Sequence, residues 1–170
     1  LSYLATNVLN LSKIEGQAIL KDKQKFNVGE QIRQNILLLE PKFKDKNISL
    51  NIDIDDCILI GNKEMLSHVW LNLLGNSIKF INDNGVIRVI VKKRDDNIIM
   101  IFSDNGIGIS ENVIPKIFDK FYQGDTSHAT KGNGLGLTMV KKIVELHSGT
   151  IKCESVLSKG TKFTITLPIE

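Results

Sequence analysis

The stretch Asn72-Leu-Leu-Gly-Asn76-Ser-Ile-Lys79-Phe80 lies within residues 62–82, whose apolar spacing predicts a helix capped by Asn62. At about 3.6 residues per turn, Asn72, Asn76 and Lys79 fall on one narrow face, and apolar residues cover the opposite side. Asparagine is a modest helix former, so two asparagines in mid-helix suggest that this face has a function. The alternative is the ordinary solvated face of an amphipathic helix. The motifs that follow along the chain favour a function.

The composition excludes several classes of protein. The 170 residues, of which 42% are hydrophobic, are enough for one good hydrophobic core. The net charge of +3 is small, and Lys and Arg are not clustered among aromatic residues, so we do not expect nucleic acid as a partner. Cys57 and Cys153 lie far apart without Cys or His at metal-ligand spacing, which predicts two buried, reduced thiols in a cytosolic setting.

The sequence contains no recognisable targeting segment. No apolar run approaches the roughly 18 residues of a membrane span, and no signal peptide is present. Because the first residue is Leu rather than Met, we expect the chain to be part of a longer protein. We therefore expect a cytoplasmic domain, and a membrane anchor elsewhere in the full-length protein would not be visible here.

The N-terminal segment differs from the rest of the chain. Residues 1–20 carry apolar side chains near heptad spacing, which predicts a coiled-coil-like helix. It has no evident partner nearby, so we interpret it as half of a helical hairpin whose other half lies upstream. The alternative is a peripheral helix that packs on the main domain. That domain is expected to begin at Phe26, with a helix over residues 29–45 that Pro41 bends or shortens.

Strands and helices are interspersed along the remaining chain. Residues 48–54 alternate between apolar and polar, which predicts a strand half covered by a core. The other predicted elements are a short apolar run at 57–60, strands at 86–92, 98–103, 151–156 and 162–167, helices at 113–118 and 134–146, and a mobile polar loop at 123–133. Because the strands cluster in hairpins with helices between them, the sequence predicts an α+β two-layer sandwich. Its sheet would be mixed and mostly antiparallel, with helices on one face.

Two glycine-rich motifs follow the asparagine helix. Asp104-Asn-Gly-Ile-Gly108 comes directly after a predicted strand, where glycines allow positive φ and the close approach of a flat ligand. A carboxylate there can accept a hydrogen bond from a purine amine, although Asp-Asn-Gly is also common turn chemistry. Gly132-Asn-Gly-Leu-Gly136 opens a helix, where free backbone amides and the helix dipole form an anion site. It lacks the Lys and Ser/Thr of a Walker loop.

Together, these three stretches predict a nucleotide-binding site. The amide oxygens of Asn72 and Asn76 are ligands suited to Mg²⁺ and its waters. Lys79 supplies positive charge for phosphates, Asp104 supplies a purine contact, and the second glycine motif completes the phosphate cradle.

Five motifs resemble the successive boxes of sensor histidine kinases of two-component systems, in that family's order. They are the three stretches above, Ile117-Phe-Asp-Lys-Phe-Tyr122 and Gly160-Thr-Lys-Phe163. The resemblance implies that residues 23–170 are a catalytic ATP-binding domain with the Bergerat-type fold of the GHKL superfamily. Asn7-Val-Leu-Asn-Leu-Ser-Lys-Ile-Glu15 resembles the end of the family's second dimerisation helix. Residues 1–22 would therefore be the C-terminal part of that helix.

The resemblance also implies roles for single residues. Asn76 would hold Mg²⁺, Asn72 and Lys79 would contact phosphates, and these three would be the catalytic residues. Phe80 would lie against the adenine, and Asp104 would accept the adenine amine. The other implied nucleotide-binding residues are Gly106, Ile107, Gly108, Ile109, Ile117 and Leu135 around the base, Thr161 beside a bridging water, Phe118, Phe121, Lys120 and Lys131 at an ATP lid of residues 123–133, and Gly132, Gly134 and Gly136 at the phosphates.

Two lid positions depart from the family's pattern. The family often has Arg where this chain has Gln123, and a basic residue where it has His128. The positive charge of the lid is then left to Lys120 and Lys131. We therefore expect the lid to bind the phosphates more weakly, or other residues to bind them in its place.

Asn72 decides between the possible reactions. The resemblance implies that hydrolytic relatives and related serine kinases have a Glu at the position of Asn72. That Glu activates water or a hydroxyl. An amide cannot take up a proton at neutral pH, so Asn72 predicts transfer of the γ-phosphate to a nucleophile held elsewhere. His68, His128 and His147 have neighbours unlike the family's acceptor motif, and His147 is expected to cap a helix C-terminus. The acceptor histidine is therefore expected upstream, on the partner helix.

The resulting prediction is an ATP-dependent protein histidine kinase domain with ATP and Mg²⁺ as cofactors. The alternatives are a GHKL-type ATPase and a degenerate nucleotide-binding scaffold without transfer activity. The implied partners are the histidine-bearing dimerisation helix, a second copy in a full-length homodimer, and the receiver domain of a response regulator.

Overall fold

The computed structural model describes residues 3–123 and 134–170. The helices in these ranges are α1 (Tyr3–Glu15), α2 (Val28–Leu38), α3 (Glu40–Asp45), α4 (Lys63–Phe80) and α5 (Gly136–Leu146). The strands are β1 (Gln24–Asn27), β2 (Ser49–Ile54), β3 (Ile58–Gly61), β4 (Val86–Arg94), β5 (Asn97–Asp104), β6 (Thr150–Val156) and β7 (Gly160–Pro168). The loop predicted at residues 123–133 lies almost entirely outside the described residues, as do Lys131 and Gly132.

One five-stranded sheet organises the domain, with strand order β2-β4-β5-β7-β6. β2 pairs in parallel with β4, and the other neighbours in this sheet pair antiparallel. Alternate side chains of β4, β5 and β7 are buried in a core that also takes in α4 and α5. The predicted α+β sandwich, with a mixed and mostly antiparallel sheet and helices on one face, is confirmed.

The start of α4 is tied to the end of α5. The Asn62 side chain accepts a hydrogen bond from Met65 N–H at 2.9 Å, which confirms the predicted cap. The backbone N–H of Asn62 donates to Nε2 of His147 at 3.0 Å, and Nδ1 of His147 donates to the Ile143 carbonyl at 2.7 Å. His147 is the C-terminal cap residue of α5, as predicted. Burial of its ring lowers the pKa of His147 below the ordinary value.

Lys46 holds the other end of α4. Its ammonium donates to the carbonyls of Ile78, Lys79 and Ile81, at 2.7, 3.4 and 3.0 Å. The last carbonyls of a helix lack intrahelical partners and carry partial negative charge, so a cation there is favourable. The turn before β2 thereby fixes the end of the asparagine helix.

Helix α1 is shorter than the predicted residues 1–20 and does have a partner in the chain. It ends at Glu15, and it packs against α5 with Leu11 and Ile14 buried in the core. Val8 and Leu9 remain exposed. The expectation of no nearby partner is therefore wrong for the C-terminal half of α1, while the dimerisation role stays a prediction. Within the described ranges, no helix is both long and apolar enough to cross a membrane.

Three other elements of the structure differ from the prediction. The helix predicted over residues 29–45 is two helices, because Pro41 lies in the first turn of α3 and cannot continue α2. Strand β1, which pairs with β3, was not predicted, because only Phe26 among its four residues is buried. The helix predicted at residues 113–118 is a short 3₁₀ turn over Ile114–Lys116.

Strand β2 was predicted to be half covered by a core, and it is covered less than that. Leu50 and Ile52 pair in register with the buried Ile87 and Val89, so they point toward the helix layer. Because β2 is an edge strand, 36% of Leu50 and 44% of Ile52 stay exposed.

Candidate nucleotide-binding site

One face of α4 carries the predicted polar row. Asn72, Asn76 and Lys79 are all partly exposed, whereas the helix residues between them include the buried Leu73, Leu74 and Ile78. The predicted polar face is therefore a real, accessible face of α4 beside the core.

The Asn72 side chain has a defined position. Its Nδ2 donates to the His68 carbonyl at 2.7 Å. Its Oδ1 faces the start of α5, where a Cβ on Gly136 would lie only 2.6 Å from it. Glycine at 136 therefore permits the close approach of the two helices that puts Asn72 beside the N-terminus of α5.

Lys79 and Phe80 lie together at the end of the row. The Lys79 ammonium is 5.1 Å from the centre of the Phe80 ring, and partial burial lowers the pKa of Lys79. Phe80 is 39% exposed. A cleft of about 590 Å³ opens beside them, lined by Lys46, Lys79, Phe80, Ile81, Asn82, Asp83 and Ile107. An exposed aromatic face next to a cation suits a flat base and an anionic group.

Asp104 ends β5 in a partly buried position. Its carboxylate accepts a hydrogen bond from Gly106 N–H at 2.9 Å, and the Ser77 hydroxyl and the Thr161 backbone N–H also donate to it. Burial raises the pKa of Asp104, and these three donors oppose that rise by stabilising the charged form. The arrangement holds an acceptor at the edge of the site.

The loop after Asp104 is clamped on both sides. Ile107 N–H donates to the Phe80 carbonyl at 3.0 Å, and the Ile107 carbonyl accepts from Ser158 N–H at 2.7 Å. A Cβ on Gly108, where φ is +70°, would lie 2.1 Å from the Val156 carbonyl oxygen. The glycine motif therefore brings the loop against both α4 and the β6–β7 turn. This places Asp104, Ile107 and Phe80 next to one another.

The three residues predicted at the root of the lid each contact a different part of the chain. Phe121 N–H donates to the Gly134 carbonyl at 3.0 Å, so the chain on either side of residues 124–133 is joined there. The Phe118 ring has the Lys141 ammonium 5.6 Å from its centre. Lys120 forms a 2.7 Å ion pair with Glu15 of α1.

The predicted base-pocket walls differ in exposure. Ile107 is 40% exposed and Ile109 is partly buried, whereas Ile117 and Leu135 are buried with the core. His128, Lys131 and Gly132 lie outside the described residues. The structure therefore brings Phe80, Asp104 and Ile107 together, and leaves a role for the lid as a prediction.

Sequence reasoning missed Ser77 and Ser155. Ser77 is buried and donates to Asp104. Ser155 binds three groups around the site: Ile109 N–H at 2.7 Å, the Gly160 carbonyl at 2.8 Å and the Thr161 hydroxyl at 2.8 Å. Ser77 follows Asn76 directly, which is a weak signal. Isolated in a strand, Ser155 gives no signal: two of its partners lie across the β6–β7 hairpin and the third, Ile109, belongs to a distant segment.

The residues present suit a nucleotide with Mg²⁺. Among residues 3–123 and 134–170, no cluster of three or more His, Cys, Asp or Glu could hold a metal ion. Mg²⁺ is often bound through one or two protein oxygens together with substrate phosphates and water. The partly exposed Asn76 amide, one turn before Lys79 on the same face of α4, could supply one such oxygen.

Three comparisons with known proteins identify the family of the chain. Residues 61–170 match the family model described as histidine kinase-, DNA gyrase B-, and HSP90-like ATPase. The chain is 33% identical over 171 residues to the circadian input-output histidine kinase CikA of Synechococcus elongatus, which covers 97% of this chain and 23% of that protein. The chain spans 23–36% of the length of curated relatives of this kind.

Solved structures show the same fold. The catalytic domain of histidine kinase ThkA has a TM-score of 0.76 and 28% identity, over 87% of this chain and 98% of that one. Histidine kinase ThkA in complex with response regulator protein TrrA has a TM-score of 0.79 and 26% identity, over 98% of this chain and 47% of that one.

Proposed function

Because the chain belongs to the family of histidine kinase-, DNA gyrase B- and HSP90-like ATPases, we propose that it is the catalytic domain of a sensor histidine kinase. It would bind Mg-ATP and transfer the γ-phosphate to a histidine on a dimerisation helix. Its similarity to CikA and ThkA, both named histidine kinases, supports this choice within the family.

The main support for the proposal is that position 72 holds an amide beside the start of α5. The Asn72 amide is held by the His68 carbonyl and faces the start of α5. An amide cannot remove a proton from water, so the position can align a phosphate but cannot activate a hydrolytic nucleophile. This favours transfer over hydrolysis.

The proposed roles follow from the positions of the side chains. Asp104 and Phe80 would orient the adenine, and Lys79, Asn72 and the free amides at the start of α5 would align the phosphates. Asn76 would hold Mg²⁺, which neutralises phosphate charge when bound. Gly106 and Gly108 give the base access, and Thr161 completes its edge.

The transfer step itself needs alignment and charge neutralisation more than acid–base chemistry. A neutral histidine ring nitrogen attacks the γ-phosphorus with its lone pair. The bond from that phosphorus to the bridging oxygen breaks, and its electron pair leaves with ADP. The proton on the other ring nitrogen is then free to leave to solvent.

We propose the partners that such a reaction requires. They are a histidine-bearing dimerisation helix, a second copy in the whole protein, and the receiver domain of a response regulator, as in the ThkA–TrrA complex. The domain would act in the cytoplasm, where ATP is available. Membrane anchoring of the whole protein stays a prediction.

The proposal is tested with the full chain and a histidine-bearing dimerisation domain supplied separately. We expect calorimetric binding of ATP that requires Mg²⁺, and acid-labile label on the supplied histidine from γ-labelled ATP. Asn76→Ala should abolish the label. A folded sample that binds no adenine nucleotide would contradict the proposal. Steady ATP hydrolysis without an acceptor would favour the ATPase, and binding without any transfer would favour the scaffold.

A further inference from the structure

Three neighbouring strands place three polar side chains in a row. Asp104 of β5 pairs with Thr161 of β7, and Thr161 pairs with Ser155 of β6. Paired residues in a sheet point to the same face, so Asp104, Thr161 and Ser155 stand side by side. They lie on the face that carries the buried Phe102 and Phe163, which is the helix side of the sheet.

The hydrogen bonds of Ser155 fix the direction of its single proton. The Gly160 carbonyl, 2.8 Å away, has only lone pairs, so the Ser155 hydroxyl must donate to it. Ile109 N–H, 2.7 Å away, is a donor, so it occupies one lone pair of Ser155 Oγ. The remaining lone pair of Ser155 faces Thr161 Oγ1 at 2.8 Å. Thr161 must therefore be the donor in that contact.

This arrangement makes Thr161 an acceptor toward the site. With its proton committed to Ser155, Thr161 Oγ1 has only lone pairs left to offer. Asp104 beside it is an acceptor as well when charged; burial raises the pKa of Asp104, and Ser77 and two backbone N–H groups oppose that rise by favouring the charged form. The edge formed by Asp104 and Thr161 then presents acceptors alone.

We propose that Ser155 is a positioning residue that sets the base specificity of the nucleotide site by fixing the Thr161 hydroxyl. The inference rests on the proposed function of that site. An acceptor-only edge suits a base with an exocyclic amine, such as adenine. It opposes a base with a carbonyl at the same position, such as hypoxanthine or guanine, because two acceptors then meet without a proton between them.

The test compares ATP with ITP, which carries a carbonyl in place of the adenine amine. Both are titrated calorimetrically with Mg²⁺ into the full chain and into Ser155→Ala. In Ser155→Ala the Thr161 hydroxyl can turn and donate to the carbonyl of ITP. One neutral hydrogen bond corresponds to roughly a two- to tenfold change in affinity. We expect the ATP-to-ITP affinity ratio to fall about fivefold in Ser155→Ala. The affinity for ATP should fall and the affinity for ITP should rise.

Three variants separate positioning from a structural effect. Ser155→Thr keeps the hydroxyl and should keep the ratio. Thr166→Ala alters another threonine of β7, away from the row, and should leave the ratio unchanged. In a Thr161→Val background, Ser155→Ala should have no further effect on the ratio, because the double-mutant cycle removes the group through which Ser155 acts.

The outcomes distinguish this inference from the proposed function. If the unaltered chain binds neither nucleotide, the proposed function fails. If it binds ATP but Ser155→Ala weakens both nucleotides equally, Ser155 has a structural role alone and the inference is overturned. A ratio near one in the unaltered chain overturns it as well.

Discussion

The Nε2 atom of His147 accepts a hydrogen bond from the backbone N–H of Asn62, 3.0 Å away, and so joins the end of α5 to the start of α4. Since Nδ1 already donates to the Ile143 carbonyl, the bond requires a neutral ring protonated at Nδ1. The contact lies at the N-terminal end of the helix that carries the asparagine row.

Acidification should therefore destabilise the domain. The pKa of His147 is lower in the fold than its ordinary value of 6.5, so the unfolded chain binds the proton more readily. The stabilisation is complete above pH 6.5 and is lost as the pH falls through the folded-state pKa. Urea unfolding at pH 8 and pH 5.5 should show this loss. The loss of stability between the two pH values should be smaller in His147→Ala than in the unaltered chain, and the same in His68→Ala as in the unaltered chain. Equal pH dependence in the unaltered chain and both variants would rule the mechanism out.

Asp104→Asn should weaken ATP binding while the fold is kept. The change is isosteric, but it replaces a charged acceptor by a group that also donates. Hydrogen bonds to charged groups contribute about 1.5–3 kcal/mol, so we expect roughly a 10- to 100-fold loss of affinity by calorimetry. Asp96→Asn, at the opposite end of the β4–β5 hairpin, serves as the control. ATP affinity that is the same in both variants would remove Asp104 from the site.

Gly136→Ala should impair phosphate transfer more than ATP binding. The new Cβ would lie 2.6 Å from Asn72 Oδ1, so the amide must move. Even a small displacement of a group that positions the phosphate can reduce the rate of transfer by about tenfold or more. Transfer to a supplied histidine and calorimetric binding measure the two effects. Gly16→Ala, whose Cβ would make an ordinary 3.4 Å contact after α1, is the control. An unchanged transfer rate in Gly136→Ala would show that the position of Asn72 does not matter.

Gly75→Ala should stabilise the fold. Within the described part of the chain, a Cβ there would meet no heavy atom within 4 Å. Glycine in a helix interior costs about 0.5–1 kcal/mol relative to alanine, because the unfolded chain loses more freedom on folding. Urea unfolding should therefore give a higher free energy of unfolding by that amount. A lower value would reveal a clash or a strained backbone at Gly75.

Local patterns predicted most of the fold. The cap at Asn62, the β4–β5 and β6–β7 hairpins and the amphipathic α5 depend on near neighbours, so spacing and turn residues predict them. The short β1 and the exposure of β2 depend on partners far along the chain. No pattern within four to six residues could reveal them.

The residues of the candidate site also fall into two groups, those that local motifs predict and those that they do not. Asn72, Asn76, Lys79 and Asp104 lie in motifs whose residue types suggest a chemistry. Ser155 and Lys46 each bind a segment far along the chain, Ser155 through Ile109 N–H and Lys46 through the Ile78 carbonyl, and a single Ser or Lys carries no local sign of that. The role of Lys120 at the phosphates stays a prediction. Its ion pair with Glu15 joins residues 105 positions apart, which local spacing could not predict.

The three carbonyls held by Lys46 limit the order in which the chain can fold. They belong to residues 32 to 35 positions further along, and β2 must likewise wait for β4 to complete its parallel pairing. Closing such long loops costs entropy before any contact repays it, whereas the two hairpins close through short turns. The hairpins would then form early, and the end of α4 would be fixed together with β2. We therefore expect the end of the helix that carries the site to be fixed late in folding.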